Sequence, residues 1–454
     1  MITTTMKIFL SAIAIAVAVV AQAQKLSVSD NSGLAPINLE AENITGLSAI
    51  VVSASTAGAS ATFTCSQPSA SVTASTFASA GAAFSTPVAV TRDGDRFTVA
   101  LPKGDTGLTF TVDGSRSYHY WIVDYSAHTL QLDALTPDPS QSDCMSIALS
   151  LDGNAAPIGY YTINGAPRTL SRDLTLSYNT LVYDENSRNY ISDHKEQILA
   201  SMSQITHTPQ PLCPTSFTLT GDRFLRQWGR AITISSPSVD PTAVEATATA
   251  TNLTETSDNV SSSAGDGSTL GGSAPVEVEF SAAVTDAVVF TEWQLSSYPD
   301  FGIIDYRFNQ PEITHTFTEY GTTYARFVAA NDKGDCDYTS QTFEISIGAS
   351  KLVCPNAFSP ADQNGVNDEW KVSYASIIEF ECNIFNRWGV HIIKLTDPSQ
   401  GWDGRYGGKF VPSGVYYYVI KAKGADGKNY KLSGDINVIN SRIKPGTATS
   451  PSDQ

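Results

Sequence analysis

Methionine and formal charge are both scarce in this chain, with 4 Met and 16% charged residues in 454. Only 28 Lys and Arg stand against 45 Asp and Glu, a net charge of −17 with no run of basic residues. That excludes a nucleic-acid face, which needs clustered cations to release counterions from phosphate. Histidine is as sparse, at 6, and none occupies a His-Glu-x-x-His arrangement; Gly-x-Ser-x-Gly elbows, Walker loops and dinucleotide fingerprints are missing too. The chain therefore reads as a non-enzyme with no catalytic, cofactor-binding or metal residues to assign. Cysteine is limited to Cys65, Cys144, Cys213, Cys336, Cys354 and Cys382, none in Cys-x-x-Cys spacing, so sparse structural bridges are expected rather than zinc or redox sites. Beyond the first two dozen residues no apolar run approaches the roughly 20 residues of a membrane span.

What is abundant points to strands and turns: 41% hydrophobic residues, 32 Gly and 22 Pro favour a folded all-β chain. At about 100–200 residues per domain the length allows two to four domains. Residues 1–23 read as a secretory signal peptide, with Lys7 ahead of an apolar stretch over 8–21 and a small-x-small site ending at Ala23. Export into the periplasm follows, and with it a compartment that permits disulfides.

A first β-sandwich is expected over 24-136. Phe97, Val99 and Leu101 alternate, residues 102–107 carry turn chemistry, and Leu108, Phe110 and Val112 alternate again, which predicts a hairpin. Residues 118–125 are apolar or aromatic on both faces, as an inner strand would be. After a polar, proline-bearing linker, a second immunoglobulin-like domain over 143-235 has strand candidates at 145–151, 158–163, 174–183 and 216–219. Cys144 and Cys213 bracket it and are the expected disulfide, and 192–202 reads as a short helix, with loop or strand left open. Residues 237–274 have the Ser, Gly and Ala content of a flexible segment, including 261–267. A third domain occupies 243-348, a fourth 350-440, and 441-454 is a polar tail expected to be disordered.

The third domain resembles the PKD-like, immunoglobulin-type domains of bacterial surface proteins. The resemblance rests on Trp293, on His315-x-Phe317-x-Glu319-Tyr320-Gly321 and on Asn331-x-x-Gly334-x-Cys336. Tyr298-Pro299-Asp300-Phe301-Gly302 departs from the family's usual turn after the tryptophan.

Five motifs in order mark the last domain. They are Asn356-Ala357-Phe358-Ser359-Pro360, Gly365-Val366-Asn367-Asp368-x-Trp370, Asn386-Arg387-Trp388-Gly389, Gly401-Trp402-Asp403-Gly404 and Pro412-Ser413-Gly414-Val415-Tyr416-Tyr417. This pattern resembles the gliding-motility-associated C-terminal domain, the type B sorting domain of the type IX secretion system of Bacteroidota. The resemblance implies export through that system's translocon, with a PorP/SprF-type outer-membrane protein as partner. Read from chemistry alone, Phe385 and Trp388 are expected to be buried while the Arg387 fork reaches a carboxylate or carbonyl. Trp402 is expected to plug a turn in which Asp403 bonds the backbone two residues on. Residues Asp362, Asn364 and Asp368 superficially resemble a calcium loop, but an Asx-turn suits them better, because the EF-hand ligands at its fifth and twelfth positions are lacking.

The reading is a modular surface or secreted protein, an adhesin or scaffold. Two alternatives remain. In a glycan-binding protein Tyr118, Tyr120, Trp121 or Trp228 would stack on sugar rings. In a degradative enzyme the N-terminal half would hold an unrecognised site; His119, Asp124 and His128 come nearest, although His119 and Asp124 face opposite ways at strand spacing.

Overall fold

The computed structural model describes residues 26–439 apart from 66, 68, 203, 255–256 and 262–269. The signal peptide with its cleavage near Ala23, the tail 441-454 and residues 262–269 of the segment expected to be flexible therefore lie outside the described residues, while the rest of 237–274 contains the strands Ala246–Asn252 and Leu270–Gly272. Frequent turns and β-branched runs give strands throughout, and among the described residues the only α-helix is the five-residue Arg223–Gln227. The described residues fall into two compact units. One runs to Asn179 and includes His194–Pro209 and Thr215–Val239; the other comprises Thr180–Asp193, Gln210–Pro214 and everything from Asp240 on.

In the first unit, a four-stranded sheet (Leu26–Ser29, Ser60–Thr64, Arg96–Ala100, Thr91–Asp93) packs on a six-stranded one. The latter runs in the order Ile37–Leu39, Ala49–Ser53, Arg116–Asp124, Thr106–Val112, Val72–Phe77, Thr86–Val88. Phe63 from one sheet stacks on Phe110 of the other at 4.9 Å. The expected hairpin between Phe97 and Phe110 is not formed. Arg96–Ala100 and Thr106–Val112 belong to opposite sheets, so the turn between them is an arch across the sandwich. Alternation specifies a buried face for each strand but not which partner covers it.

Strand Arg116–Asp124 is central, parallel to Ala49–Ser53 and antiparallel to Thr106–Val112. Tyr120 and Ile122 enter the sandwich core, while Trp121 and Val123 enter a second core with Ile158, Tyr160, Leu170 and Phe224. That second core comes from the next domain: the hairpin Ile158–Tyr161 with Pro167–Leu170, and the helix. Each aliphatic or aromatic side chain fully buried there contributes about 1.5–3 kcal/mol. The contact is close. Gly81 sits at φ 87°, and a Cβ there would lie 2.6 Å from the Ile163 carbonyl oxygen. The first two domains are thus fused through a shared core rather than strung as separate beads.

The second domain is itself a sandwich of Gln131–Asp138, Ser146–Asn154 and Ile205–Pro209 against a sheet holding Leu174–Asp184, Asn189–Leu199, Thr218–Gly221 and Ile232–Ser235. The helix expected over 192–202 is instead the strand Asn189–Leu199, paired with Leu174–Asp184. Ile198, which a helix over 192–202 would have used with Leu199 and Met202 as its apolar face, is 61% exposed. An eleven-residue neighbour supplies ladder hydrogen bonds that an uncapped turn of helix cannot match. The expected Cys144–Cys213 bridge is also corrected. Cys213 carries a free thiol, Cys144 is disulfide-bonded, and the two fall in different compact units; bracketing a domain in sequence does not bring Cα atoms within bonding reach.

A buried ion pair ties the fused core. Arg172 Nη1 donates to Asp222 Oδ2 at 2.7 Å, the Tyr125 hydroxyl donates to the same oxygen at 2.9 Å, and both charged side chains are at most 2% exposed. Asp222 Oδ1 accepts the backbone N–H groups of Phe224 and Leu225, capping the helix, and Arg172 Nη2 donates to the His128 carbonyl at 2.6 Å. Every lone pair is used, which is the condition for burying such charges.

In the second unit, Trp293 is fully buried among Phe280, Phe327 and Phe343, its Nε1 donating to the Pro311 carbonyl at 3.0 Å. It lies between the sheet Ala246–Asn252, Val276–Val284, Glu312–Phe317 and the sheet that contains Phe290–Ser296 and Gly321–Ala330. The final domain is built on a five-stranded sheet in the order Ala357–Phe358, Asn429–Val438, Gly414–Gly424, Ile377–Asn386, His391–Leu395. It is stitched to its predecessor. Asn259 Nδ2 donates to the Val372 and Pro398 carbonyls at 2.8 Å each, and the Ser376 N–H donates to Ser273 Oγ at 2.7 Å.

Arg172→Met leaves the Asp222 carboxylate buried without its cation and is expected to cost about 3–5 kcal/mol. Urea unfolding followed by tryptophan fluorescence measures this; an unchanged midpoint would show the network to be dispensable.

Candidate functional site

The sheet of the last domain buries one face and leaves the other open. Along Gly414–Gly424, Tyr416, Ile420 and Ala422 are buried, whereas Val415, Tyr417 and Val419 are 40%, 46% and 43% exposed. Strand alternation produces both rows from one segment.

The buried row packs on two tryptophans. Trp370 and Trp402 are opposite each other in a two-residue ladder and fully buried. Trp370 Nε1 donates to the Pro355 carbonyl at 2.8 Å and Trp402 Nε1 to the Arg405 carbonyl at 3.0 Å, so neither indole N–H is orphaned. Phe358 and Tyr416 each lie 5.3 Å from Trp402, and the Tyr416 hydroxyl donates to the Pro412 carbonyl. Gly404 (φ 72°) is held against Pro360, whose Cγ would be 2.4 Å from a Cβ, which explains why both motifs carry those residue types. Asp403 Oδ1 accepts the Arg405 N–H at 3.0 Å, the turn expected around the plug. The Asn356 carbonyl accepts from the Asn437 N–H and Nδ2, seating the first motif beside the last strand. These motif residues hold the domain together; Gly401 and Gly414 sit at the starts of their strands.

Asn386-Arg387-Trp388-Gly389 behaves differently from expectation. Asn386 Oδ1 accepts the N–H groups of Trp388 and Val390 at 2.9 and 3.0 Å, and Gly389 adopts φ 79°, which together build a tight turn. Trp388 is not buried but 72% exposed, and Arg387, also exposed, stacks on its ring at 4.2 Å rather than reaching a carboxylate. The reason is geometric: the strand ends at Asn386, so the alternation that would have buried Trp388 stops before it. Phe385, half-buried, lies opposite Tyr417 on the open face, and Val390 is exposed beyond the turn.

In the Asp362 to Asp368 loop, Asp368 accepts the N–H groups of Asn364 and Gly365, and Asn364 Oδ1 accepts that of Val366. Asn367 takes φ 54° and its carbonyl accepts the Ser359 N–H. Asn364 thus forms an Asx-turn and Asp368 closes the loop by bonding backbone N–H groups three and four residues before it, and among the described residues no group of three or more His, Cys, Asp or Glu is placed to hold a metal ion.

Of the aromatics considered for sugar stacking, two are core residues and two, Tyr118 and Trp228, are half-buried against the cores. Tyr120 and Trp121 are 1% and 2% exposed, Tyr118 packs on the first core, and Trp228 donates to the Ala35 carbonyl at 2.8 Å while packing edge-on to Tyr125. Nor do His119, Asp124 and His128 converge. His119 is bonded to Thr109 Oγ1, and His128 to Asp105. Burial pushes the Asp124 carboxyl up, but hydrogen bonds from Ser126, Thr56 and Gly104 outweigh it and hold the group below its ordinary range.

Trp402→Ala is expected to destabilise the last domain by about 3–5 kcal/mol. Trp388→Ala is expected to change stability by no more than about 0.5 kcal/mol. Thermal melts of the two variants test this assignment of buried and exposed roles; equal losses would overturn it.

Two family models match the chain: a fibronectin type III domain over residues 136–236 and the CHU_C type IX secretion signal domain over 352–438. Among solved structures, the tetra-tandem repeat from the extending region of a large adhesion protein is 12% identical, covering 86% of this chain and 99% of that one, with a TM-score of 0.21. The Clostridium thermocellum CbhA fibronectin(III)-like modules are 12% identical, covering 44% and 100%, with a TM-score of 0.18. The BSP domain of a biofilm-associated protein is 9% identical, covering 92% and 96%, with a TM-score of 0.15. At such scores nothing about function passes from these structures to this chain. No curated protein matches it. The chain is an all-β protein that carries a fibronectin type III domain over 136–236 and a type IX secretion signal domain over 352–438, the latter implying secretion to the cell surface or outside.

Proposed function

We propose that this protein is a non-enzymatic adhesin or surface scaffold, exported through the type IX translocon by its last domain, with a PorP/SprF-type outer-membrane protein as the docking partner. The observation that carries the reading is the secretion signal match over 352–438 combined with a motif turn whose Arg387 and Trp388 face solvent. Four of the five motifs are occupied in holding the fold; a large exposed aromatic and a cation stacked on it contribute little to stability there. Trp and Arg are the residue types that dominate binding hot spots. The domain over 243-348 serves as a PKD-like spacer, and the first two domains, fused through one core, are the displayed portion. The tight packing of Tyr120 and Trp121 favours a structural role over sugar stacking.

Removing residues 350-454 is expected to abolish delivery, yet it also strips Ser273 and Asn259 of their partners. A cleaner test is the double variant Arg387→Ala with Trp388→Ala in the full chain. Losing about 1.4 kcal/mol of docking energy corresponds to roughly tenfold weaker engagement. The variant should melt like the unaltered protein while its surface and medium fractions fall by about that factor and periplasmic material accumulates. Unchanged delivery would remove this turn from the docking role.

A further inference from the structure

Cys354 and Cys382 have free thiols at one core, that of the last domain: Cys382 is a buried member of it and Cys354 packs against it, partly buried. Cys382 is fully buried at the centre of Ile377–Asn386, opposite Ile420. Cys354 follows Lys351–Val353, a strand held by pairing with Ser373–Ala375. The next residue, Pro355, gives its carbonyl to Trp370, whose ring packs on Tyr418 at 5.2 Å. Tyr418 closes the circuit. It stands opposite Ile384, two residues along the same buried face from Cys382, and its hydroxyl hydrogen-bonds the Cys354 thiol. Both thiols therefore line one small volume around a single tyrosine. Their electrostatic coupling agrees: burial first, and then the neighbouring Cys354, push the Cys382 thiol up to about 12. A buried cysteine is ordinarily a small apolar filler. Two lining the same core beside one tyrosine, in a domain addressed to an oxidising exterior, are a different matter.

We propose that Cys354 and Cys382 form a disulfide when the chain meets a disulfide donor, fastening the segment that enters the last domain to its central sheet. The half-buried Cys354 is the entry point. Its thiolate attacks one sulfur of the donor, expelling the other as a thiolate and leaving a mixed disulfide. The Cys382 thiolate then displaces the remaining donor sulfur. The protein gives up two electrons and two protons, and the donor leaves as two thiols. The bond would close a loop that contains the Phe358, Pro360 and Asp368 motif residues, restricting the unfolded chain there. The oxidising surroundings rest on the proposed export, whereas the docking partner does not enter this inference.

The test uses the full chain purified in reduced form and exposed to oxidised glutathione. Remaining thiols are alkylated under denaturing conditions, and non-reduced peptides are mapped by mass spectrometry. Cys144, disulfide-bonded in the structure, reports that the oxidant has acted. The expected result is a Cys354–Cys382 linked peptide, with Cys65 and Cys213 alkylated. Alkylation of both Cys354 and Cys382 while Cys144 is bridged overturns the proposal, as does a glutathione adduct or linkage of either to another cysteine. In Cys354→Ala, Cys382 should become alkylated, and the fall in melting temperature caused by reductant should be smaller than in the unaltered protein. An equal fall in both proteins would remove the bond's structural role.

Discussion

A β-strand sends alternate side chains to opposite faces, and each face must find a cover or meet water; this constraint organises both ends of the molecule. In Arg116–Asp124 both faces are covered, Tyr120 and Ile122 by the first sandwich and Trp121 and Val123 by the following domain. In Gly414–Gly424 only one is, and Val415, Tyr417 and Val419 remain open. The first strand fuses two domains. The second leaves an accessible apolar row on the domain that bears the secretion signal.

Covering the second face of Arg116–Asp124 has an electrostatic consequence. Closing two domains on each other buries the Arg172 and Asp222 charges, which is tolerable because Tyr125, the His128 carbonyl and two helix N–H groups complete their hydrogen bonding. Such a pair favours one docking geometry over its neighbours, since any shift strands a charge in a region without water. The first two domains thus share one core through this strand.

The last domain divides its motifs between architecture and access. Trp370, Trp402, Phe358, Pro360, Gly404 and Tyr416 are committed to a close-packed interior with each indole N–H satisfied. The Asn386 to Gly389 turn needs only the Asn386 carboxamide and the positive φ of Gly389 to hold its shape. Arg387 and Trp388 lie outside the packed core, exposed at the tip of that turn.

The sequence by itself determined the all-β class, the aromatic plug at Trp402 and the Asx-turn at Asn364, because these rest on local turn chemistry and period-two alternation, and it carried the secretion signal through motifs that resemble a known family. Residues near one another in the chain suffice to define them. Only the tertiary structure decided that Phe97 and Phe110 belong to opposite sheets, that residues 192–202 are strand, that Cys144 does not bond Cys213 and that Trp388 faces solvent. Each of these depends on which distant segment supplies the ladder hydrogen bonds or covers the face, and on where a strand stops. Alternation is the same on either sheet of a sandwich, so the sequence pattern carries no record of the partner.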